Sequence, residues 1–225
     1  MLSLGIDEAG RGCVIGPLVV CGALIDESDE SRLRKMGVKD SKMLSPSQRE
    51  RIKLEIEKVA KWFHVAKIEP ERIDGKPQHG LNLNELETVK FAEIINRACN
   101  EKQVDKVIID VPDVNIQRFK SFLAKMLFNK DVVIIAEHYA DKKYVACSAA
   151  SIIAKVTRDA DIEKLKEQYG DFGSGYPSDA QCVKWLNEWF QEHHSFPPIV
   201  RHSWETISNI KSKKLQETLK RFLKK

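Results

Sequence analysis

Two short apolar segments with a helical segment between them constrain the fold of this 225-residue chain most. Residues 106–110 read KVIID and residues 131–136 read DVVIIA, and such continuous apolar runs are typical of strands buried on both faces of a sheet. Residues 115–127 between them have helical spacing. The order strand, helix, strand predicts two parallel strands joined by a right-handed crossover.

Three further strands are predicted earlier in the chain, at residues 2–7, 17–25 and 62–68. Their links are short, which favours an antiparallel meander. Helical spacing predicts helices at residues 45–61, 83–98 and 142–168, and helices dominate after residue 178. These elements predict a mixed α/β sheet covered by helices, with a helical C-terminal appendage.

Composition limits the class of protein. Apolar residues make up 42% of the chain, enough for a sizeable core, and no apolar run reaches the roughly 18 residues of a membrane span. The first residues lack the pattern of a secretory leader. The five cysteines form no CxxC pair, which indicates reduced thiols in a cytoplasmic protein. The net charge of +4 is only a weak argument for a polyanionic partner.

Acidic residues follow three of the predicted strands. Asp7 ends the first strand and Glu8 is the next residue, Asp110 ends KVIID, and Asp141 comes shortly after DVVIIA. If the first and fourth strands are parallel neighbours, Asp7 and Asp110 lie together at the edge where open α/β sheets bind ligands. A hard divalent cation, Mg²⁺ or Mn²⁺, would offset the repulsion between these carboxylates. The alternative is that the acids are turn or cap residues. For Asp141, the sequence supports a helix cap as well as it supports a metal ligand.

The tripeptide Gly10-Arg11-Gly12 follows the first acids directly. Glycine lets another backbone or a ligand approach closely, and its amide can donate to phosphate or sugar oxygens. The phosphate-loop and dinucleotide-binding fingerprints are both absent from the chain.

Five motifs together resemble the ribonuclease HII family, the type 2 ribonucleases H, in its archaeal form. They are GIDEAGRGCVIGPLVV (5–20), VKDSKMLSP (38–46), IIDVPDV (108–114), EHYADKKYVACSAASIIAKVTRD (137–159) and GSGYPSD (173–179). The resemblance covers nearly the whole chain. It implies a ribonuclease H-like fold with a five-stranded sheet in the order 3-2-1-4-5, in agreement with the strand pattern.

The resemblance also implies the site residues. The catalytic residues, which would also bind two Mg²⁺ or Mn²⁺ ions, are Asp7, Glu8, Asp110 and Asp141. The residues implied to bind substrate are Gly10, Arg11 and Gly12 with Tyr176 as ribose reader, and Ser41 and Lys42 as a phosphate contact. Without the resemblance, Tyr176 also fits a packing role and Lys42 a solvated one, and His138 is at best a neighbour of the site.

We predict a catalytic domain at residues 1–170 and a helical extension at residues 171–225 that packs on it and contributes to substrate binding. Residues 211–225 hold seven lysines and arginines against one glutamate, a local charge of +6. This basic tail would contact duplex phosphates; the alternative is a solvated helix face.

The expected function is an endoribonuclease that cuts RNA in RNA–DNA hybrids and incises on the 5′ side of single ribonucleotides in duplex DNA. Two-metal hydrolysis would leave 5′-phosphate and 3′-hydroxyl ends. We expect a cytoplasmic monomer without membrane contact, and the sequence does not decide whether a sliding clamp binds. The alternatives are a DNA junction resolvase or integrase of the same fold, and a non-catalytic hybrid-binding module.

Overall fold

A single five-stranded sheet forms the centre of the computed structural model, which describes residues 1–38, 44–75 and 80–222. The strands are β1 (Leu2–Ala9), β2 (Leu18–Asp26), β3 (Trp62–Ile68), β4 (Lys106–Asp110) and β5 (Val133–Glu137). Their order is β3-β2-β1-β4-β5, with β1 to β3 antiparallel and β4 and β5 parallel to β1. The predicted mixed sheet and its strand order are confirmed.

Strand β1 lies in the middle of the sheet and is longer than its sequence suggests. Its parallel pairing with β4 ends at Ile6 and Ile109, whereas its antiparallel pairing with β2 continues to Ala9 and Val19. The prediction that Asp7 ends the strand was therefore wrong by two residues. Beyond Ile6 the strand is paired on one side only, and this opens the edge toward β4.

Helices cover both faces of the sheet, and the C-terminal helices pack on the segment that follows β1. They are α1 (Glu30–Lys35), α2 (Pro46–Val59), α3 (Pro70–Asp74), α4 (Leu83–Glu101), α5 (Ile116–Met126), α6 (Ala140–Lys143), α7 (Val145–Tyr169), α8 (Ala180–His193) and α9 (Glu205–Phe222). One apolar cluster joins α2 and α7 to one face of the sheet, and a second joins α4 and α5 to the other. The short helices α1 and α3 were not predicted.

Capping residues explain where two of the predicted helices begin. The Ser45 side chain accepts a hydrogen bond from the Gln48 amide, and the Gln48 side chain accepts one from the Ser45 amide. Asn82 and Glu85 form the same reciprocal pair at the start of α4. Each pair satisfies two backbone donors that a helix start leaves without partners.

The helix predicted at residues 142–168 is divided into α6 and α7 at Tyr144. The backbone of Tyr144 is extended, with φ −116° and ψ 125°. The Ser148 hydroxyl donates to the carbonyl oxygens of Asp141 and Tyr144, which stabilises the break. No proline or glycine marks this position, so the helical spacing predicted a continuous element.

Helix α7 contacts β1 backbone to backbone at Gly5. A Cβ atom on residue 5 would overlap the main chain of Ala146 and Cys147. Only glycine leaves room for this approach, because any side chain would push the helix from the sheet.

The C-terminal helices pack on the segment that follows β1. Val14 and Ile15 are fully buried with Cys182 and Leu186 of α8 and Ile207 of α9 in a third apolar cluster. The division into domains at residue 170 stays a prediction. Within the described part of the chain, no helix is both long and apolar enough to cross a membrane.

Candidate active site

Three of the four predicted acids come together at the open edge beside β1. Asp7, Asp110 and Asp141 each offer a carboxylate oxygen, and these oxygens lie within 4.8 Å of one another. Asp7 and Asp141 are buried and Asp110 is half-buried. The cluster is formed by side chains from the central strands β1 and β4 and from the start of α6.

Backbone contacts place these carboxylates. Asp110 is the last residue of β4, the parallel neighbour of β1. Its Oδ1 atom accepts a hydrogen bond from the Ala140 amide at 3.2 Å, which fixes the start of α6 against the end of β4. Asp141 is the next residue and is thereby held beside Asp110.

The cluster is electrostatically unfavourable without a cation. Burial, together with the nearby charge of Asp110, raises the pKa of Asp7 from its ordinary 3.8 to about 6, although Ser151 and Lys155 act in the opposite direction. Buried carboxylates that repel each other are relieved by a hard divalent cation. The donor set consists of oxygen atoms alone, which fits Mg²⁺ or Mn²⁺.

Glu8 lies beside this three-acid group. The residue is half-buried, and its Oε2 atom is buried without a hydrogen-bond partner among the described residues. Burial and the charge of Asp7 raise its pKa well above the ordinary value, whereas Arg11 lowers it. An orphaned carboxylate oxygen next to the cluster is compatible with metal ligation, and that role of Glu8 stays a prediction.

The two glycines of the Gly10-Arg11-Gly12 loop face different surroundings. Gly10 has a φ of +84°, and a Cβ atom there would lie 2.9 Å from the carbonyl oxygen of Pro17. The interior of the protein therefore requires glycine at position 10, and the predicted contact of Gly10 with substrate stays a prediction. Gly12 is exposed, and its Cβ position lies 3.9 Å from the ring of Tyr176. The structure thus brings Gly12 and Tyr176 together, two of the predicted ribose-reading residues.

The side chain of Arg11 is directed toward α4. Its guanidinium donates to Glu87 and, at 2.5 Å, to Asn84. Glu87 is completely buried, so this ion pair anchors the loop to the helix. In this arrangement Arg11 shapes the loop, and its predicted contact with substrate stays a prediction.

Arg201 is a residue that the sequence analysis missed. It is completely buried and donates to the carbonyl oxygens of Gly16, Arg11 and Gly10 at 3.0, 2.8 and 2.7 Å. Burial lowers its pKa to about 10, so the guanidinium remains charged at neutral pH. Arg201 fixes the carbonyl groups of the loop. Its neighbours in IVRHSW are apolar before it and polar after it, so the sequence gives no local signal of its burial.

Arg158 of α7 was also missed, and it connects the loop to Tyr176. Its Nη2 atom donates to Cys13 Sγ at 3.0 Å and to the carbonyl oxygen of Ser174. The guanidinium carbon lies 4.9 Å from the centre of the Tyr176 ring. Burial raises the pKa of Tyr176 to about 12, so its hydroxyl stays protonated and can donate a hydrogen bond.

Other predicted residues lie beside the site or outside the described part. A ring nitrogen of His138 lies 3.2 Å from the carbonyl oxygen of Val111, the residue after Asp110. Ser41 and Lys42 fall outside the described residues, so their predicted phosphate contact has no structural account. Lys211 and Lys213 at the start of the basic tail are exposed on α9.

Comparisons with known proteins identify the family. A family model described as Ribonuclease HII matches residues 4–207. The chain is 50% identical over 227 residues to the Ribonuclease HII of Pyrococcus furiosus, with 98% of both proteins covered. The ribonuclease H2 structure from Pyrococcus horikoshii OT3 superposes with a TM-score of 0.85 at 46% identity, covering 95% of this chain and 98% of that one. The RNase HII of Archaeoglobus fulgidus, solved as a complex with PCNA, gives 0.81 at 45% identity over 92% and 96%.

These matches extend over almost the whole chain, including the acids, the glycine loop and Tyr176. They decide against the alternative functions, a junction resolvase, an integrase or a non-catalytic binding module. The chain belongs to the ribonuclease HII family, endonucleases that hydrolyse the RNA of RNA–DNA hybrids.

Proposed function

We propose that this protein cuts RNA within hybrids and also incises duplex DNA on the 5′ side of a single embedded ribonucleotide, leaving 5′-phosphate and 3′-hydroxyl ends. One observation carries the proposal. The carboxylates of Asp7, Asp110 and Asp141 have oxygens within 4.8 Å of one another, and Asp7 lies on β1, the strand whose next residues form the loop against Tyr176. A carboxylate cluster that can bind metal, next to residues that can contact a 2′-hydroxyl group, suits a nuclease that selects ribonucleotides.

Asp7, Asp110 and Asp141, completed by Glu8, would hold two Mg²⁺ or Mn²⁺ ions. When bound, such ions supply activation of the attacking water and stabilisation of the leaving 3′ oxygen. Asp7 and Asp110 would each offer a carboxylate oxygen to the ions from adjacent strands at the centre of the sheet. Asp7 Oδ1 already accepts the Glu8 amide at 2.7 Å, which fixes the orientation of its carboxylate.

No side-chain nucleophile is needed in this scheme. Cys147 lies near the acids, but burial raises the pKa of its thiol well above the ordinary value. The thiol donates to the Ile108 carbonyl oxygen at 3.0 Å. A buried, protonated thiol that bonds the backbone contributes to packing, not to attack on phosphorus.

Ribonucleotide selection would come from the loop and Tyr176. The 2′-hydroxyl is the group that distinguishes RNA from DNA locally. Glycine-flanked amides can approach it, and the Tyr176 ring can pack on the next sugar while its hydroxyl donates a hydrogen bond. A site built around a hydroxyl rejects substrates without it, because its polar groups are then left unpaired.

The decisive experiment compares a DNA duplex that contains one ribonucleotide with the same duplex made entirely of DNA. We expect metal-dependent cleavage of the first at the 5′ side of the ribonucleotide and negligible cleavage of the second. End mapping by phosphatase and ligase treatment identifies the termini. Comparable cleavage of the all-DNA duplex, a cut on the 3′ side, or activity without divalent metal would contradict the proposal.

The proposal extends to partners and location. The Archaeoglobus fulgidus relative was solved with PCNA, and we propose a sliding clamp as a partner of this chain too. Size-exclusion chromatography of the chain with and without the clamp tests this, and light scattering on the same column tests the expected monomer. The five cysteines are free thiols, which suits the reducing cytoplasm that we propose for the protein.

A further inference from the structure

Tyr139 is an exposed aromatic residue two positions before Asp141. Its backbone is left-handed, with φ 59° and ψ 34°, a conformation that L-residues other than glycine adopt at a cost. Its side chain is 64% exposed, although it is large and apolar. The ring centre lies 6.5 Å from that of His138, and the turn leaves most of the Tyr139 ring open to solvent.

The turn that presents Tyr139 is tied to the acid cluster. The Tyr139 carbonyl oxygen accepts the Lys142 amide at 3.1 Å, and the next amide, of Ala140, donates to Asp110 Oδ1 at 3.2 Å. The ring is therefore carried by the same turn that positions Asp141. It is held at the rim of the candidate active site.

Lys142 adds a cation to this rim. Its Nζ atom lies 4.8 Å from the centre of the Tyr139 ring, and among the described residues it makes no salt bridge. The adjacent Lys143 differs, because its ammonium bonds Glu137 at 2.5 Å. Two neighbouring lysines thus have different surroundings: one is engaged by a carboxylate, and the other lies over an exposed ring.

We propose that Tyr139 and Lys142 bind the sugar–phosphate backbone of a nucleic-acid strand that leaves the acid cluster. The inference rests on the proposed function. The ring would pack on a sugar face, and the ammonium would contact an adjacent phosphate. A polyanion that approaches three carboxylates requires a cation nearby, and Lys142 supplies one on the turn that holds Asp141. The contact does not read the 2′-hydroxyl.

The test measures binding of a fluorescein-labelled DNA duplex with one ribonucleotide, and of the matching all-DNA duplex, by anisotropy. All variants are made in an Asp7→Asn background, so that the duplex stays intact. Tyr139→Ala removes the ring and retains the backbone strain, Tyr139→Gly removes both, and Tyr139→Phe keeps the ring. Lys142→Gln is paired with Lys143→Gln as its control.

We expect Tyr139→Ala and Tyr139→Gly each to weaken binding roughly tenfold. The factor should be the same for both duplexes, and Tyr139→Phe should stay within about twofold of the background protein. Lys142→Gln should weaken binding and reduce the slope of log affinity against log salt by about one, while Lys143→Gln leaves the slope unchanged.

The inference would be overturned if Tyr139→Ala and Tyr139→Gly both bind the duplexes as the background protein does. Melting temperatures must show that both variants are folded. A protein partner would then be the alternative occupant of this rim. A loss confined to the ribonucleotide duplex would also overturn the inference, because it would make Tyr139 part of the ribose reader. Failure of the proposed function is seen separately, as absence of cleavage by the protein without substitutions.

Discussion

At the scale of single residues, the buried negative charge of Asp7 destabilises the folded protein in the absence of metal. Its pKa is raised from 3.8 in an unfolded chain to about 6 in the folded protein, chiefly by burial. Between pH 4 and 6 the folded state therefore binds more protons than the unfolded state. By linkage, this residue lowers the free energy of unfolding as pH rises through that window, by at most about 3 kcal/mol.

We accordingly expect Asp7→Asn to raise the melting temperature of the metal-free protein near neutral pH. The difference from the parent should be small at pH 4 and should grow up to pH 6, because asparagine carries no charge. Thermal melts in EDTA across this range measure it. Mg²⁺ should then stabilise the parent more than the variant, and equal stabilisation of both would place the metal away from Asp7.

The same substitution should abolish cleavage while duplex binding survives. Asparagine retains the shape of aspartate but loses the charged oxygen that a divalent ion requires. Turnover and affinity for a hybrid are measured on one preparation. Near-normal turnover by Asp7→Asn would remove this residue from the metal site.

Tyr176 should divide its contribution between its hydroxyl and its ring. Tyr176→Phe is expected to lose about 1–3 kcal/mol of transition-state binding on a single-ribonucleotide duplex. Tyr176→Ala should lose more, because the packing of the ring is lost as well. The measurement is kcat/KM, with Tyr169→Phe as a control whose ring packs on Trp189 with centres 5.9 Å apart. Parental rates in Tyr176→Ala would make the tyrosine a packing residue.

At the scale of elements, the loop after β1 depends on glycine in two different ways. Gly10→Ala should destabilise the fold by about 1–3 kcal/mol, because alanine at φ +84° is strained and its Cβ meets the Pro17 carbonyl oxygen at 2.9 Å. Gly12→Ala should leave the melting temperature near that of the parent, since its Cβ finds ordinary contact 3.9 Å from the Tyr176 ring.

Urea denaturation of the two alanine variants separates these roles, and the affinity for a ribonucleotide duplex gives the second readout. Gly12→Ala should weaken that affinity without a loss of stability. Equal stability of the two variants would mean that the interior tolerates a side chain at residue 10.

The elements were largely predictable where periodicity and burial agree. Strands β3 and β4 were predicted with the bounds that the structure shows, because residues 62–68 alternate in polarity and the apolar run of β4 ends at Asp110. The break at Tyr144 was not predictable, since it depends on Ser148 bonding two carbonyl groups rather than on a helix-breaking residue. Local spacing does not reveal such contacts.

The residues of the site also fall into those that the sequence predicted and those that it did not. Asp7, Asp110 and Asp141 could be predicted to meet, because strand order brings the ends of apolar runs together. Arg158, Arg201 and Glu87 could not be, because each acts through a partner far along the chain and none has a local signature. Arg201, for example, bonds Gly10, which lies 191 residues earlier.

At the scale of the whole molecule, positive charge is concentrated at one end of the chain. The net charge is +4, whereas residues 211–225 alone contribute +6. Ile207 and Ile210 of α9 are buried before this tail begins. Residues 211–222 therefore continue a helix that is already anchored.

Removal of residues 211–225 should preserve the fold and raise KM more than it lowers kcat. The slope of log affinity against log salt should become flatter, because binding with fewer phosphate contacts releases fewer counterions from the duplex. A variant with the tail lysines and arginines changed to glutamine is the matched control, since it keeps the chain length. An unchanged salt slope in both proteins would show that the tail is a solvated helix.

The backbone contact between Gly5 and α7 has a consequence for how sequence variation in this chain should be interpreted. Residue 5 faces a helix, not a ligand, yet no other amino acid fits there. In a library randomised at this position and selected for folding alone, glycine should dominate the survivors as strongly as in a selection for activity. Selection for glycine at the first position of GIDEAGRG would therefore report the clearance between helix and strand, whereas the chemistry that we propose belongs to the later residues of the motif.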